Sequence, residues 1–174
     1  RLRCCSGGRC DRCLQGREHR CRFGVGIGHG RHGGFAEYVC VAESSLVVLP
    51  DTVDLTEAAI FACPMGVALQ AVKQVAQVQR GDTVVVTGAG GGLGTHAVQI
   101  AAALGGRVLA VTSSPEKVEA LGKLGASEVL ETGGSEKTLY FSELVMAFTE
   151  DEGADVVIDT VGSPLFGSTW QSLG

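Results

Sequence analysis

Two sets of residues in this chain have the types and spacing to do chemistry. The first is Gly88-Ala89-Gly90-Gly91-Gly92-Leu93-Gly94. Residues without a Cβ let a backbone approach a pyrophosphate, and the unpaired N–H groups of a first helical turn point at it. The second set is sulfur. Cys10 and Cys13 form a Cys-x2-Cys pair, and Cys21 follows after seven intervening residues. A turn of this kind gives a tetrahedral Zn2+ paired thiolates, and the surrounding arginines favour thiolate over thiol. A fourth ligand is needed. Cys5 stands within the usual ligand spacing of Cys10, Cys4 is one residue further away, and the spacing does not choose between them.

The elements around the glycines are those a phosphate site requires. Thr83 to Thr87 is a β-branched run with the composition of a strand buried on both faces. Thr95 to Leu104 is apolar at helical spacing and is stopped by Gly105-Gly106. A glycine motif flanked in this way is a far stronger signal than the motif alone. Downstream, Arg107 to Thr112 reads as a second strand. Ser114 caps a helix that has Pro115 at its first position and runs over 116–124. Glu128 to Leu130 is a short third strand, Glu136 to Thr149 a helix, Val156 to Ile158 a fourth strand between Asp155 and Asp159, and Ser163-Pro164 opens one more helix. This alternation demands a parallel sheet with right-handed crossovers and helices on both faces. The fold class is therefore α/β, an incomplete Rossmann-type doubly wound sheet over 61–174.

The preceding section, 1–60, reads as small, β-rich and irregular. Arg1 to Phe23 lacks periodicity, and Gly24 to Gly34 is a glycine-rich turn carrying His29 and His32. Phe35 to Val41 alternates like a half-buried strand, with Cys40 as core packing, and Ser45 to Leu49 is another short strand. A helix capped by Asp54 or Thr56 then runs to about Val78, interrupted at Cys63-Pro64. By composition alone Cys63 reads as a small buried hydrophobe.

The end of the second strand bears on which dinucleotide fits. An NAD site usually carries Asp or Glu there, about 20 residues after the glycine turn. Here the segment is Thr112-Ser113-Ser114-Pro115-Glu116-Lys117, with no carboxylate at the strand end. Hydroxyls and Lys117 accommodate a 2′-phosphate that an aspartate would repel. The reading is NADP in preference to NAD, with Ser113 and Ser114 as mere turn and cap residues the alternative.

Bulk properties exclude several classes. Charged residues are 19% and the hydrophobic class 45% of 174 residues, a globular composition. No apolar stretch approaches the ~20 residues of a membrane span. Seven cysteines, five of them in the first 21 residues, suit metal binding in a reducing, cytoplasmic compartment better than a disulfide framework. The first 31 residues carry +6 and the remainder −11. Without a finger, aromatic platform or recognition helix, that basic segment reads as a solvated lobe; a nucleic-acid-binding zinc protein is the remote alternative. The chain opens on Arg1 and ends at Leu173-Gly174, where another strand should follow, so it reads as an internal piece of a longer protein.

Four stretches together resemble the medium-chain dehydrogenase/reductase family, which comprises the zinc alcohol dehydrogenases and their quinone-reductase relatives. They are Cys10 to Cys13 with Cys21, Gly33 to Val39, Ala89 to Gly94, and Leu124-Gly125-Ala126. The resemblance implies a GroES-like catalytic domain followed by a Rossmann domain. It implies hydride transfer between a nicotinamide and an alcohol, aldehyde, ketone or quinone, with no nucleic acid or membrane partner, in a homodimer or homotetramer when full length. The dinucleotide would rest on Ala89, Gly91, Gly92, Leu93, Gly94, Thr112, Ser113, Lys117 and Thr160. A structural zinc would take Cys10, Cys13 and Cys21; its remaining ligand position falls on Gly7, a departure that Cys5 or Cys4 would have to make good. Cys63 sits where the zinc-dependent branch places its last catalytic-zinc ligand, whereas Ala89 looks like the quinone-reductase branch. The other catalytic residues would lie upstream of Arg1, and the chain alone would not catalyse.

Overall fold

A computed structural model describes residues 10–133, 141–163 and 165–174. By compactness the chain divides into 1–53 and 54–174, where the sequence placed the boundary at 60 and 61.

In the second unit, four strands form one parallel sheet: β1 (Thr83–Val86), β2 (Arg107–Thr112), β3 (Glu128–Glu131) and β4 (Val156–Ile158). Their order is β3-β2-β1-β4, with Val85 level with Leu109 on one side and with Val157 on the other. Between them run α1 (Gly92–Ala103), α2 (Val118–Lys123) and α3 (Phe141–Phe148); α4 (Phe166–Gln171) follows β4. Strand alternation gives each face its own core. Val84, Val86, Val108 and Ala110 pack with Ala97, Val98 and Ala101 of α1, with Leu121 of α2 and with Ala68 and Val72. Val85, Leu109 and Val111 pack with Phe141 and Val145 of α3 and with Leu165 on the opposite face. These central side chains are almost wholly removed from water, and each valine, leucine and phenylalanine among them contributes roughly 1.5–3 kcal/mol of transfer free energy. The expected parallel α/β sheet is the one observed.

The helical segment over 55–75 begins where the Asp54 carboxylate accepts the N–H groups of Thr56 (2.7 Å) and Glu57 (3.1 Å). It is wound more widely than an α-helix at Phe61–Met65 and Gln70–Val75. Pro64 lies in the first of these wide turns, where a residue lacking an N–H disrupts the regular ladder. The segment ends before Val78, because Gln77 takes a left-handed φ of 54°. Cys63 is exposed there, not the buried hydrophobe its composition suggested.

The first unit departs more from expectation. Asp11–Leu14 is one helical turn and Glu18–Arg20 a tighter one. Gly26–Ile27 and Gly30–Arg31 make a two-residue ladder inside the expected turn. Neither Phe35 to Val41 nor Ser45 to Leu49 is a strand. A strand exists only through ladder hydrogen bonds to a neighbour, and no described residue forms a ladder with either segment; Ser45 closes the tight turn Glu43–Ser45 instead. Phe35 and Tyr38 are consequently exposed, and so is Cys40, which the alternation had assigned to a core.

Ser114 does not cap with its side chain; instead its N–H donates to Thr112 Oγ1 at 3.2 Å. Pro115 does open the turn Pro115–Lys117 ahead of α2. Residues 136–140 of the expected helix before Thr149, and Pro164 of the expected helix start, lie outside the described residues.

Candidate dinucleotide and metal sites

The glycine turn joins β1 to α1 at the carboxyl edge of the sheet. Gly88 adopts φ +59°, the left-handed region that favours glycine. A Cβ there would lie 2.5 Å from Thr160 Oγ1 and 2.9 Å from Val161 Cγ2. Ala89 is buried, and its N–H donates to Val111 O at 3.0 Å. Gly91 N–H donates to Gly88 O at 2.9 Å, which closes the turn, and Gly91 is the extended N-cap from which α1 starts at Gly92. Gly94 packs so closely on the turn that a Cβ would sit 2.7 Å from Ala89 Cα and closer still to Gly88 O. Helix and strand thus approach as a dinucleotide fold requires, leaving the amides of Gly92, Leu93 and Gly94 as the first-turn donors. The cradle fits a diphosphate.

Lys117 lies over this turn. Its Nζ donates to Gly90 O at 3.0 Å, and a Cβ on Gly90 would meet Lys117 Cδ at 2.7 Å and Thr112 Oγ1 at 3.2 Å. Thr112 is buried at the end of β2, whereas Ser113 is exposed beside it. A cavity of about 140 Å3 opens at the carboxyl ends of the strands, lined by Gly88, Thr112, Ser113, Thr132, Val161 and Leu165. This is where open α/β sheets bind ligands. A larger open cleft of about 990 Å3 in the first unit is lined by the unpaired segment with Phe35 and Tyr38, and holds none of the dinucleotide residues.

Thr160 is tied to the end of β1 by two hydrogen bonds. Its hydroxyl donates to Thr87 O at 2.8 Å, and its N–H donates to Thr87 Oγ1 at 3.1 Å. Thr87 Oγ1 in turn donates to Asp159 Oδ1 at 2.6 Å. The same oxygen accepts from the N–H groups of Val161 (3.0 Å) and Gly162 (2.9 Å). Burial pushes the Asp159 carboxyl up, but the Thr87 hydroxyl and the Gly162 and Val161 amides outweigh it and hold the group below the usual carboxylate range. Sequence reading marked Asp159 only as a strand boundary. The available signal was a carboxylate at the carboxyl end of an apolar strand, next to the position where strand order reverses.

Cys10, Cys13 and Cys21 come together, with their sulfurs all within 4.8 Å of one another. Cys10 Sγ is 3.3 Å from Cys13 Sγ and 3.7 Å from Cys21 Sγ. Corners of a tetrahedral site with Zn–S of ~2.3 Å are ~3.8 Å apart, so three thiolates at these separations fit a zinc ion. The helical turn Asp11–Leu14 brings Cys10 and Cys13 to one side, and Arg12 Nη1 ties it to Arg20 O (2.9 Å), next to Cys21. The Cys13 backbone amide, then the Cys13 thiol, bring the Cys10 thiol down to about 7. Cys5 lies outside the described residues. Cys63 joins no group of three metal-ligating side chains among the described residues.

A parallel sheet of the doubly wound kind with a glycine turn at its carboxyl edge, and a thiolate turn preceding it in the chain, together define an α/β protein of Rossmann type. A family model for the alcohol dehydrogenase GroES-like domain matches residues 2–51, and one for zinc-binding dehydrogenases matches residues 92–173. The chain belongs to the medium-chain dehydrogenase/reductase family. It is 36% identical over 166 residues to an acryloyl-coenzyme A reductase of Metallosphaera sedula, covering 95% of this chain and 46% of that protein. It is 37% identical over 158 residues to an L-threonine 3-dehydrogenase of Streptomyces coelicolor, covering 90% and 44%. A crystal structure of an NAD-dependent alcohol dehydrogenase superposes with a TM-score of 0.86 at 33% identity, covering 97% of this chain and 48% of the other. The chain spans about half the length of the curated relatives it matches.

Proposed function

We propose that the protein is a nicotinamide-dependent oxidoreductase of the alcohol dehydrogenase type, that 54–174 holds its dinucleotide, and that NADP is preferred over NAD. The observation that carries the reading is the Gly94 cradle, in which any side chain would strike the backbone of Gly88 and Ala89. The amides of Gly92, Leu93 and Gly94 donate to the diphosphate oxygens. The buried Thr112 hydroxyl and exposed Ser113 present no negative charge to the adenosine ribose, and Lys117 Nζ, resting on Gly90 O, stands ready to pair with a 2′-phosphate. The bound nicotinamide supplies the hydride chemistry, exchanging hydride with an alcohol or carbonyl carbon.

Titration of the chain with NADPH and NADH, read by Trp170 emission and thermal midpoint, tests this. NADPH should bind more tightly. Lys117→Gln should weaken NADPH about tenfold while leaving NADH nearly unchanged, the effect of one charge-assisted hydrogen bond at ~1.4 kcal/mol. Failure of both nucleotides to bind overturns the reading.

For zinc, Cys10, Cys13 and Cys21 would hold a structural ion, with Cys5 as the fourth thiolate. Cys63 would supply one ligand of a catalytic ion that polarises the substrate oxygen. A second reading, a zinc-independent quinone or enoyl reductase, draws support from Ala89. It is fully buried at the first glycine position of the motif, and its methyl is accommodated there. Metal analysis separates the two: Cys63→Ser removes one zinc per full-length chain in the first reading and none in the second.

A further inference from the structure

The place where strand order reverses lies between β1 and β4, and it is bridged by side chains. The backbone ladder between these strands closes with Thr87 N–H donating to Ile158 O at 3.1 Å. Beyond it, one chain turns into the glycine cradle and the other into the loop over 159–162. In an open α/β sheet this divergence is the ligand crevice. Across its floor runs a chain of polar contacts: Asp159 Oδ1 accepts from Thr87 Oγ1, Thr87 Oγ1 accepts from Thr160 N–H, and Thr160 Oγ1 donates to Thr87 O. Asp159 Oδ1 also gathers the amides of Val161 and Gly162, which shapes the loop into a turn. That turn presents Thr160 and Val161 against Gly88, the first residue of the cradle.

We propose that Asp159 is a positioning residue for the dinucleotide: acting through Thr87, it sets the separation between the glycine cradle and the loop over 160–162, and so the width of the crevice. Three donors converge on a single oxygen, a load suited to an ionised carboxylate rather than a neutral amide. Thr87 works in both directions, donating to the carboxylate and accepting from the loop, so a hydroxyl is required and a methyl in its place breaks both bonds. The contacts span 72 or 73 positions of sequence and pin the two sides of the site to each other directly.

This rests on the dinucleotide reading above, and the test separates the two. NADPH is titrated into the chain and into Asp159→Asn, Thr87→Val and Thr87→Ser, and hydrogen exchange is followed without nucleotide. Asp159→Asn should weaken NADPH about tenfold and Thr87→Val at least as much, in line with the loss of hydrogen bonds to a charged group. Thr87→Ser, which keeps the hydroxyl, should bind like the parent. Exchange should quicken at Gly88 to Gly91 and 160–162 in the two weakened variants, while β1 and β2 stay protected. A parent chain that binds NADPH, with Asp159→Asn and Thr87→Val binding equally well, overturns the positioning role alone. Quickened exchange throughout the sheet assigns the contacts to general stability and overturns it too. A parent that binds neither NADPH nor NADH removes the dinucleotide reading, and this inference with it.

Discussion

Cys10 shows how far a neighbour's backbone can set a side chain's chemistry. A free thiol ionises near ~8.5, whereas the amide and thiol of Cys13 bring Cys10 down to about 7. The lowered value means that thiolate persists above about pH 7 and is protonated below it. Metal affinity follows the same sign, because a proton competes with the ion for sulfur. In the metal-free chain, alkylation of Cys10 by iodoacetamide should therefore be half-maximal near pH 7, as followed by peptide mass. A midpoint at the ordinary thiol value contradicts the geometry. The Cys-x2-Cys spacing revealed this pair, because ligand spacing is a property of the local chain. Thr160 was less legible. The family resemblance assigned it to the cofactor; its hydroxyl donates to Thr87 O, a partner 73 positions away.

At the scale of elements, turns and stops decide the geometry of the site. α2 ends at Lys123 with Leu124 as its C-cap, and Gly125 follows at φ +105° with no room for a side chain: a Cβ would meet Ala102 Cβ at 2.8 Å. Ala102 belongs to α1, so this one glycine seats the stop of α2 against the helix that begins at the cradle. Gly125→Ala should cost about 1–3 kcal/mol in urea unfolding, from left-handed strain and overpacking together. An unchanged midpoint would mean that the helices move apart freely. The strand bounds of β2 and β4 were readable from β-branched runs between charged or turn residues. Those of Phe35 to Val41 were not, because alternation records which residues would face a core but not whether a pairing partner is there.

For the whole molecule, the two units are stabilised by different means. The second has a packed core on each face of its sheet. Among the described residues of the first, Cys13 is the only buried apolar side chain. An ion held by the three thiolates would order this lobe independently of the sheet. Stripping metal with a chelator should raise amide exchange over 10–31 to that of an unprotected chain while β1 and β2 keep their protection. Equal protection before and after chelation would show that no ion holds the lobe together. No described helix is long and apolar enough to cross a membrane.

Local pattern was sufficient for the strand–glycine–helix unit, the parallel α/β class and the three thiolates that converge. Each depends on residues close in sequence: strand composition, absence of Cβ, ligand spacing. Tertiary structure alone decided that Lys117 rests on Gly90, that Asp159 reaches Thr87 across the crevice and that Gly94 has no room for a methyl group. It also decided that the alternating segments of the first unit stay unpaired. These outcomes turn on contacts between segments remote in sequence, whose energies depend on distances and available partners that no local pattern records.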